Sequence, residues 1–198
     1  MKNIILPICC AAALCLVPAL LSGCSSDPKD EPAPEGPPID VPPGEVTVAA
    51  YYFPNWGPVA TSEWGLLQRA KPMFDGHKQP KVPAWGYRNE NRPEVMQQKI
   101  DAAADHGLDV FIFDWYFYDE DQMPGNKYLS SALEEVFLKA PNNDRMKFSL
   151  LWCNHDLGDI ARGAVTPETF ERLTDYVIEH YFKHPSYWLV DGCPYFSI

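Results

Sequence analysis

Two hydrophobic periodicities alternate along residues 46–198. Short apolar runs rich in β-branched and aromatic residues, which are typical of buried strands, recur between longer segments with one apolar face, which are typical of amphipathic helices. The short runs predict strands over residues 46–54, 108–115, 146–156 and 194–198. The longer segments predict helices over residues 93–107, 128–140 and 166–182, and a long polar loop precedes the first of them.

This alternation of strands and helices predicts a parallel sheet with right-handed crossovers. A doubly wound sheet and a (β/α)8 barrel both satisfy the pattern. No glycine-rich phosphate turn follows a predicted strand, which disfavours the nucleotide-binding doubly wound form. We therefore predict an α/β fold of the (β/α)8 TIM-barrel type. A complete barrel has about 250 residues and eight strands, so residues 46–198 correspond to about the first four β/α units. We expect a C-terminal half or a second polypeptide to complete it.

Polar and aromatic residues gather where the predicted strands end, in the segments YYFPNW, FDWYFYD and LWCNHD. Sites in barrels lie at the C-terminal ends of the strands, so these segments predict a binding face. Aromatic rings are suited to stacking on sugars, while carboxylate, amide and imidazole groups hydrogen-bond with hydroxyls. The candidate substrate-binding residues on these segments are Tyr52, Trp56, Asp114, Trp115, Tyr116, Trp152, Asn154 and His155.

Alternation along a strand limits how many of these rings reach the binding face. Successive side chains point to opposite sides of a sheet, so about half of the rings must pack inside the barrel or against helices. Tyr52 and Trp152 are our preferred stacking residues. Trp64 and Trp85 lie in the long first loop, where they either wall the cleft or pin the loop.

Residues 1–45 carry the pattern of an exported lipoprotein. Lys2 precedes an apolar run that ends in Leu-Ser-Gly-Cys, which indicates a secretory signal over residues 1–23. This ending resembles the lipobox of bacterial lipoproteins, which predicts a lipid on Cys24. Residues 24–45 hold seven prolines and six acidic residues, so we expect a disordered tether. The acids after Cys24 resemble an export signal, so we expect anchoring at the outer membrane or cell surface.

Composition excludes several classes of function. The net charge of −11 argues against nucleic acid, whose phosphates require clustered Lys and Arg. No H-E-x-x-H or G-x-S-x-G pattern is present, so we expect neither a metal nor a cofactor. An aromatic content of 13% is high for this length and agrees with a glycan partner.

Four segments together resemble the N-terminal half of the WbsX-like proteins, relatives of glycoside hydrolase family 99. They read VAAYYFPNW, SEWGLLQRAKPMFDGHKQPKVPAWGY, RPEVMQQKIDAAADHGLDVFIFDWYFYD and LLWCNHD. The match covers residues 46–156 and is dense over 63–114. The resemblance implies a (β/α)8 barrel that acts on glycans, with mannose-type α-linkages in the characterised, endo-α-mannosidase branch. It also adds His77, within GHKQP, to the substrate-binding candidates.

The family's catalytic glutamates lie in an N-E-W-x-E pattern that this chain does not contain. Glu168 and Glu171 have the same separation, but they fall in the first turns of a predicted helix, where carboxylates favour the helix dipole. Glu134 and Glu135 are expected to form a solvated helix face. We therefore identify no catalytic residue. We expect a surface lipoprotein of the glycoside hydrolase type, truncated before its catalytic glutamates. A non-catalytic glycan-binding lipoprotein and a transferase-like protein of polysaccharide biosynthesis remain alternatives.

Overall fold

The strands of the sheet follow one another in chain order. A computed structural model describes residues 46–58 and 62–198; the predicted signal over 1–23 and the tether over 24–45 lie outside them. Within this part of the chain the strands are β1 Ala49–Tyr52, β2 Val110–Phe117, β3 Lys127–Tyr128, β4 Lys147–Trp152, β5 Leu189–Val190, β6 Cys193–Pro194 and β7 Phe196–Ser197. The four strands β1, β2, β4 and β7 are parallel and adjacent in that order.

This strand order decides between the two α/β folds that the sequence allows. In a singly wound barrel each new strand is added beside the previous one, whereas in a doubly wound sheet the order reverses at a switch point. The observed order shows no reversal over its four parallel strands. The predicted TIM-barrel type of fold, present as about four β/α units, is confirmed.

Helical segments lie between the strands, and those other than the first α-helix and the short 3-10 turn bury side chains against one face of this sheet. They are α1 Glu63–Gln68, α2 Pro93–Asp105 and α3 Pro167–Val177, with π-helical segments Ala132–Phe137 and Ile178–Phe182 and a short 3-10 turn, Asn143–Arg145. Proline at the first position begins both α2 and α3, as expected for a residue without a backbone N–H. No helix in the described ranges is both long enough and apolar enough to cross a bilayer.

The predicted helix over residues 128–140 is wrong at its start. Lys127 and Tyr128 instead form β3, which pairs antiparallel with the end of β2. Asn126 and Leu129 flank this pair with φ of 61° and 55°, left-handed values that a right-handed helix cannot include. The helical conformation therefore begins only after Leu129, and the π-helical segment begins at Ala132.

The hydrophobic core lies between the sheet and these helices. Alternate residues of β2, namely Phe111, Phe113 and Trp115, are buried against the helix layer, and we call this side the outer face. The residues between them, Ile112 and Asp114 among them, point to the opposite side, which we call the inner face. In a barrel the inner face lies toward the axis, so the parity of β2 decides which side chains approach a bound ligand.

Candidate functional site

Three functional groups meet on the inner face where β2 and β4 end. Asp114 and Tyr116 lie two residues apart on β2 and therefore share this face. Cys153 follows β4 directly, and its backbone N–H donates to the carbonyl of Trp115 over 2.8 Å. Its thiol is free and lies beside Tyr116. Together with His155, these residues form what we call the strand-end cluster.

His155 extends the strand-end cluster toward solvent. Its ring meets the Tyr116 ring edge-on, with centroids 5.7 Å apart. The phenol of Tyr118 donates to the carbonyl of His155 over 3.3 Å, which fixes the backbone at this point. Asn154 and His155 are both exposed, whereas Tyr116 is only 5% exposed. Tyr116 therefore supports the imidazole from beneath, and Asn154, His155 and the half-buried Asp114 present the polar groups.

Burial decides the protonation of this cluster. It raises the pKa of Asp114 above its ordinary value, and the nearby His155 partly opposes the shift. Burial, together with the charge of Asp114, also raises the pKa of the Cys153 thiol. Burial likewise raises the pKa of Tyr116, and that of Tyr118 to about 12. The thiol and both phenols are thus protonated near neutral pH, and Asp114 holds its proton more readily than an exposed aspartate does.

The cluster suits a hydroxyl-rich ligand better than a metal ion. Its groups combine hydrogen-bond donors with the acceptor oxygens of one carboxylate. No three His, Cys, Asp or Glu side chains within residues 46–58 and 62–198 are arranged to hold a metal ion. One carboxylate, Asp114, comes from the parallel strands of the sheet.

A close backbone contact holds the exposed end of the site. The N–H of Gly163 donates to the carboxylate of Asp156 over 2.9 Å, and Arg162 pairs with the same carboxylate at 2.9 Å. A Cβ atom at Gly163 would lie 2.0 Å from the carbonyl oxygen of Asn154. Only glycine allows this approach. The role of Gly163 could not be predicted from the sequence, because the contact joins two loops with no pattern of their own.

Three predicted sugar-stacking residues lie on the outer face, which corrects their assignment. Trp115 is 1% exposed, and its indole N–H donates to the hydroxyl of Tyr181 over 3.1 Å. Trp152 is in register with Trp115 and is likewise buried. Tyr52 is in register with Phe113, and their rings are 4.7 Å apart. Since Asp114 points inward, its neighbours Phe113 and Trp115 must point outward. Tyr52 and Trp152, which are in register with them, point outward as well.

The hydroxyl of Tyr52 belongs to a buried polar group that the sequence did not reveal. Glu90 is 1% exposed and accepts hydrogen bonds from the Tyr52 hydroxyl and the Trp56 backbone N–H, both at 2.6 Å. Lys99 of α2 pairs with the same carboxylate at 3.0 Å. Burial and the charge of Glu90 raise the pKa of Tyr52 well above its ordinary value. Glu90 thus ties together β1, the first loop and α2.

Glu134 is partly buried, with 17% of its side chain exposed, so the predicted solvated face is wrong at this position. Its carboxylate pairs with Lys127 at 2.6 Å and accepts from the hydroxyls of Tyr176 and Tyr181. Glu135, one residue later, does lie at the surface, where it pairs with Lys139. The helical pattern identified the apolar side of this segment, but it could not show that an antiparallel strand would place a lysine beside Glu134.

Trp56 and His77 lie in the first loop, where each makes a separate set of contacts. The Trp56 ring is 4.4 Å from that of Trp64, and both line a cavity of about 260 Å³. His77 stacks on Phe74 with centroids 4.7 Å apart, and its Nδ1 accepts from the backbone N–H of Met73. The structure thus brings Asp114, Tyr116 and His155 together at the strand ends. It places Trp56 and His77 in the first loop instead.

Comparison with known proteins identifies one family and a partial match to larger proteins. The family model described as "Glycosyltransferase WbsX" matches residues 54–198. Two curated relatives, both named uncharacterized protein WxcX, come from two strains of Xanthomonas campestris pv. campestris. Each is 28% identical over 118 residues, covering 54% of this chain and 16% of the relative. The chain therefore spans about a sixth of their length.

Solved structures of two larger chains are also similar. Both are GH99 endo-alpha-mannosidase from Bacteroides thetaiotaomicron, one of them in complex with bis-tris-propane. The complex has a TM-score of 0.44 at 20% identity, over 76% of this chain and 41% of that one. The other has a TM-score of 0.46 at 18% identity, over 75% and 43%.

Proposed function

The chain belongs to the WbsX glycosyltransferase family, and from this membership we propose that its strand-end cluster binds a glycan. One observation carries the proposal: Asp114, Asn154 and His155 present polar groups at the C-terminal ends of β2 and β4. This is the end of a barrel at which substrates bind. A carboxylate, an amide and an imidazole supply the donors and acceptors that neighbouring sugar hydroxyls require.

We propose further that the full reaction is hydrolysis of a glycosidic bond, of the endo-α-mannosidase-like type, in glycan breakdown. The secretory pattern of residues 1–23 favours hydrolysis over transfer, because activated sugar donors are not available outside the cell. Glycoside hydrolysis ordinarily uses two carboxyl groups. The parallel strands described above supply only Asp114 to the inner face, so we assign this part of the chain to substrate binding and name no catalytic residue in it.

Two other functions have support of their own. The family description favours a transferase-like role in polysaccharide biosynthesis. A glycan-binding protein without turnover agrees with Asp114 being the one carboxylate on the parallel strands that the structure describes. Release of reducing ends from α-mannan distinguishes hydrolysis from both alternatives, and consumption of a nucleotide sugar distinguishes transfer from binding alone.

Replacing Asp114 with asparagine is expected to weaken binding of α-mannan about tenfold or more. Hydrogen bonds to a charged group contribute roughly 1.5–3 kcal/mol, and 1.4 kcal/mol is about a tenfold change in affinity. The ionised form of Asp114 accepts from sugar hydroxyls, so wild-type binding should weaken as the pH falls through its raised pKa. Isothermal titration across acidic pH should show this weakening in the wild type and not in the variant.

The matched control is Asp109→Asn, one residue before the same strand. Asp109 lies at the opposite end of β2, where it accepts from the backbone N–H of Val48 over 2.8 Å. An asparagine oxygen still accepts that bond, so affinity and unfolding midpoint should match the wild type. Equal affinity of the two variants for mannan would contradict the assignment of Asp114 to the binding site.

We also propose that the protein is anchored by a lipid on Cys24 at the outer membrane or cell surface. Replacing Cys24 with alanine is expected to abolish incorporation of an alkyne-labelled fatty acid in a Gram-negative host. The variant should also leave the washed membrane fraction. Cys193, an exposed free thiol of the folded domain, provides the control, and Cys193→Ala should keep the label. A Cys24→Ala chain that is still labelled would overturn the proposal.

A further inference from the structure

The first loop encloses a second candidate site, and we propose that it binds an acidic sugar residue. By this we mean a hexose ring that carries a carboxylate or sulfate group. None of the residues of the strand-end cluster lines this cavity. The inference rests on the proposed glycan-binding function and names a substrate class for it.

The walls of the cavity are aromatic. Trp56, Trp64 and Trp85 face a space of about 260 Å³, which Pro83, Ala84 and Gly86 complete. This is slightly below the roughly 300–1,000 Å³ of pockets for drug-sized ligands, so it suits one sugar ring rather than an oligosaccharide. Trp85 remains 45% exposed, which leaves its ring accessible to a ligand. Indole faces are apolar surfaces suited to the C–H face of a sugar ring.

Hydrogen bonds hold these walls in place without a ligand. The indole N–H of Trp64 donates to the carbonyl of Arg88 over 2.6 Å, and the Tyr87 ring packs on Trp64 at 5.6 Å. The buried carboxylate of Glu90 fixes the backbone of Trp56. Because the loop is already ordered by its own contacts, a ligand would lose less free energy in ordering it.

The charge of the cavity identifies the ligand more closely. Lys99 and Arg88 both line it, but Lys99 is paired with Glu90 at 3.0 Å. The guanidinium of Arg88 makes no ion pair with any residue that the structure describes. Its planar fork is suited to bidentate contact with a carboxylate or sulfate. Arg88 is therefore the cation available to an anionic group on a sugar held between the indoles.

The segment that surrounds Arg88 is also positively charged. Residues 69–88 contain five Lys or Arg against one Asp, a net charge of +4 in a chain whose net charge is −11. A local concentration of positive charge attracts anionic ligands to this loop and away from the acidic remainder. This positive charge does not strengthen binding of a neutral sugar. An acidic sugar is attracted to the loop and also forms a charge-assisted hydrogen bond with Arg88.

The test compares three forms of one polymer with the full chain: α-mannan, the same mannan oxidised to uronate at C6, and the same mannan sulfated. The wild type should bind at least one charged form more tightly than the neutral form. Arg88→Gln should weaken binding of that charged form about tenfold, as expected for a charge-assisted hydrogen bond, and leave binding of the neutral form unchanged. The preferred polymer identifies the anionic group.

Lys78→Gln is the matched control, since Lys78 lies in the same loop and does not line the cavity. It should weaken binding of the charged form less than twofold. An equal loss in the two variants would indicate diffuse attraction by the loop and overturn the site. Equal wild-type affinity for all three polymers would also overturn it and leave the proposed function standing. Failure of the wild type to bind any of the three would refute the proposed function as well.

Discussion

Replacing Lys99 with methionine is expected to lower the free energy of unfolding by about 3 kcal/mol. The variant leaves the Glu90 carboxylate, 1% exposed, without its cation. Breaking a buried ion pair by removing one partner costs roughly 3–5 kcal/mol. The lower end applies here because the Tyr52 hydroxyl and Trp56 N–H still donate to Glu90. Urea unfolding followed by tryptophan fluorescence measures the loss.

A double variant and an exposed pair provide the controls. Glu90→Gln combined with Lys99→Met removes both charges, so it should recover most of the lost stability. Arg145→Met breaks ion pairs with Asp101 and Asp105 in which every side chain is at least 39% exposed, and should cost much less stability than Lys99→Met. If Lys99→Met and Arg145→Met cost the same, the Glu90 carboxylate is not buried as described.

Replacing Gly163 with alanine is expected to damage the strand-end cluster more than its size suggests. The added methyl group would lie 2.0 Å from the carbonyl oxygen of Asn154 and 2.6 Å from the carbonyl carbon of His155. Both are backbone atoms, so one of the two loops must move. We expect a loss of about 1–3 kcal/mol in the free energy of unfolding, as for other overpacked sites. Glycan binding should weaken about tenfold, the change in affinity that corresponds to 1.4 kcal/mol.

Gly57→Ala separates this effect from the ordinary consequences of losing a glycine. The nearest atom to a Cβ at Gly57, in the side chain of Asn89, is 4.0 Å away. Its unfolding free energy should stay within about 0.5 kcal/mol of the wild type. Both urea unfolding and mannan titration should be measured for each variant. A Gly163→Ala protein that unfolds and binds as the wild type does would show that Gly163 does not position His155.

The architecture could be predicted from the sequence because hydrophobic periodicity identifies the strands and helices. Their alternation then predicts a parallel sheet. Four apolar runs became four parallel strands, with cores close to the predicted bounds, and helices α2 and α3 begin at the predicted prolines. Parallel strands share one end for ligands, which is why Asp114 and His155 could be identified from their position alone. The prediction that these residues contact a ligand remains to be tested.

The inward or outward direction of each ring could not be predicted from the sequence. FDWYFYD contains an aromatic residue at every position except its two acids, so moving the register by one residue exchanges one set of aromatics for another. Trp115 was misplaced for this reason, and Tyr52 and Trp152 with it, because their strands are in register with β2. Glu90 was missed for a different one, because a charge within a polar loop gives no local sign that β1 and α2 will enclose it.

The central position of β2 has a consequence for the entropy of binding. It pairs with β1 on one side and with β4 on the other, and β3 pairs with its end. The backbone that carries Asp114 is thus immobilised before any ligand arrives. Most of the conformational freedom lost on association would then belong to the ligand. A stiff or branched saccharide has less conformational freedom to lose, so the strand-end cluster should favour such ligands over flexible linear ones.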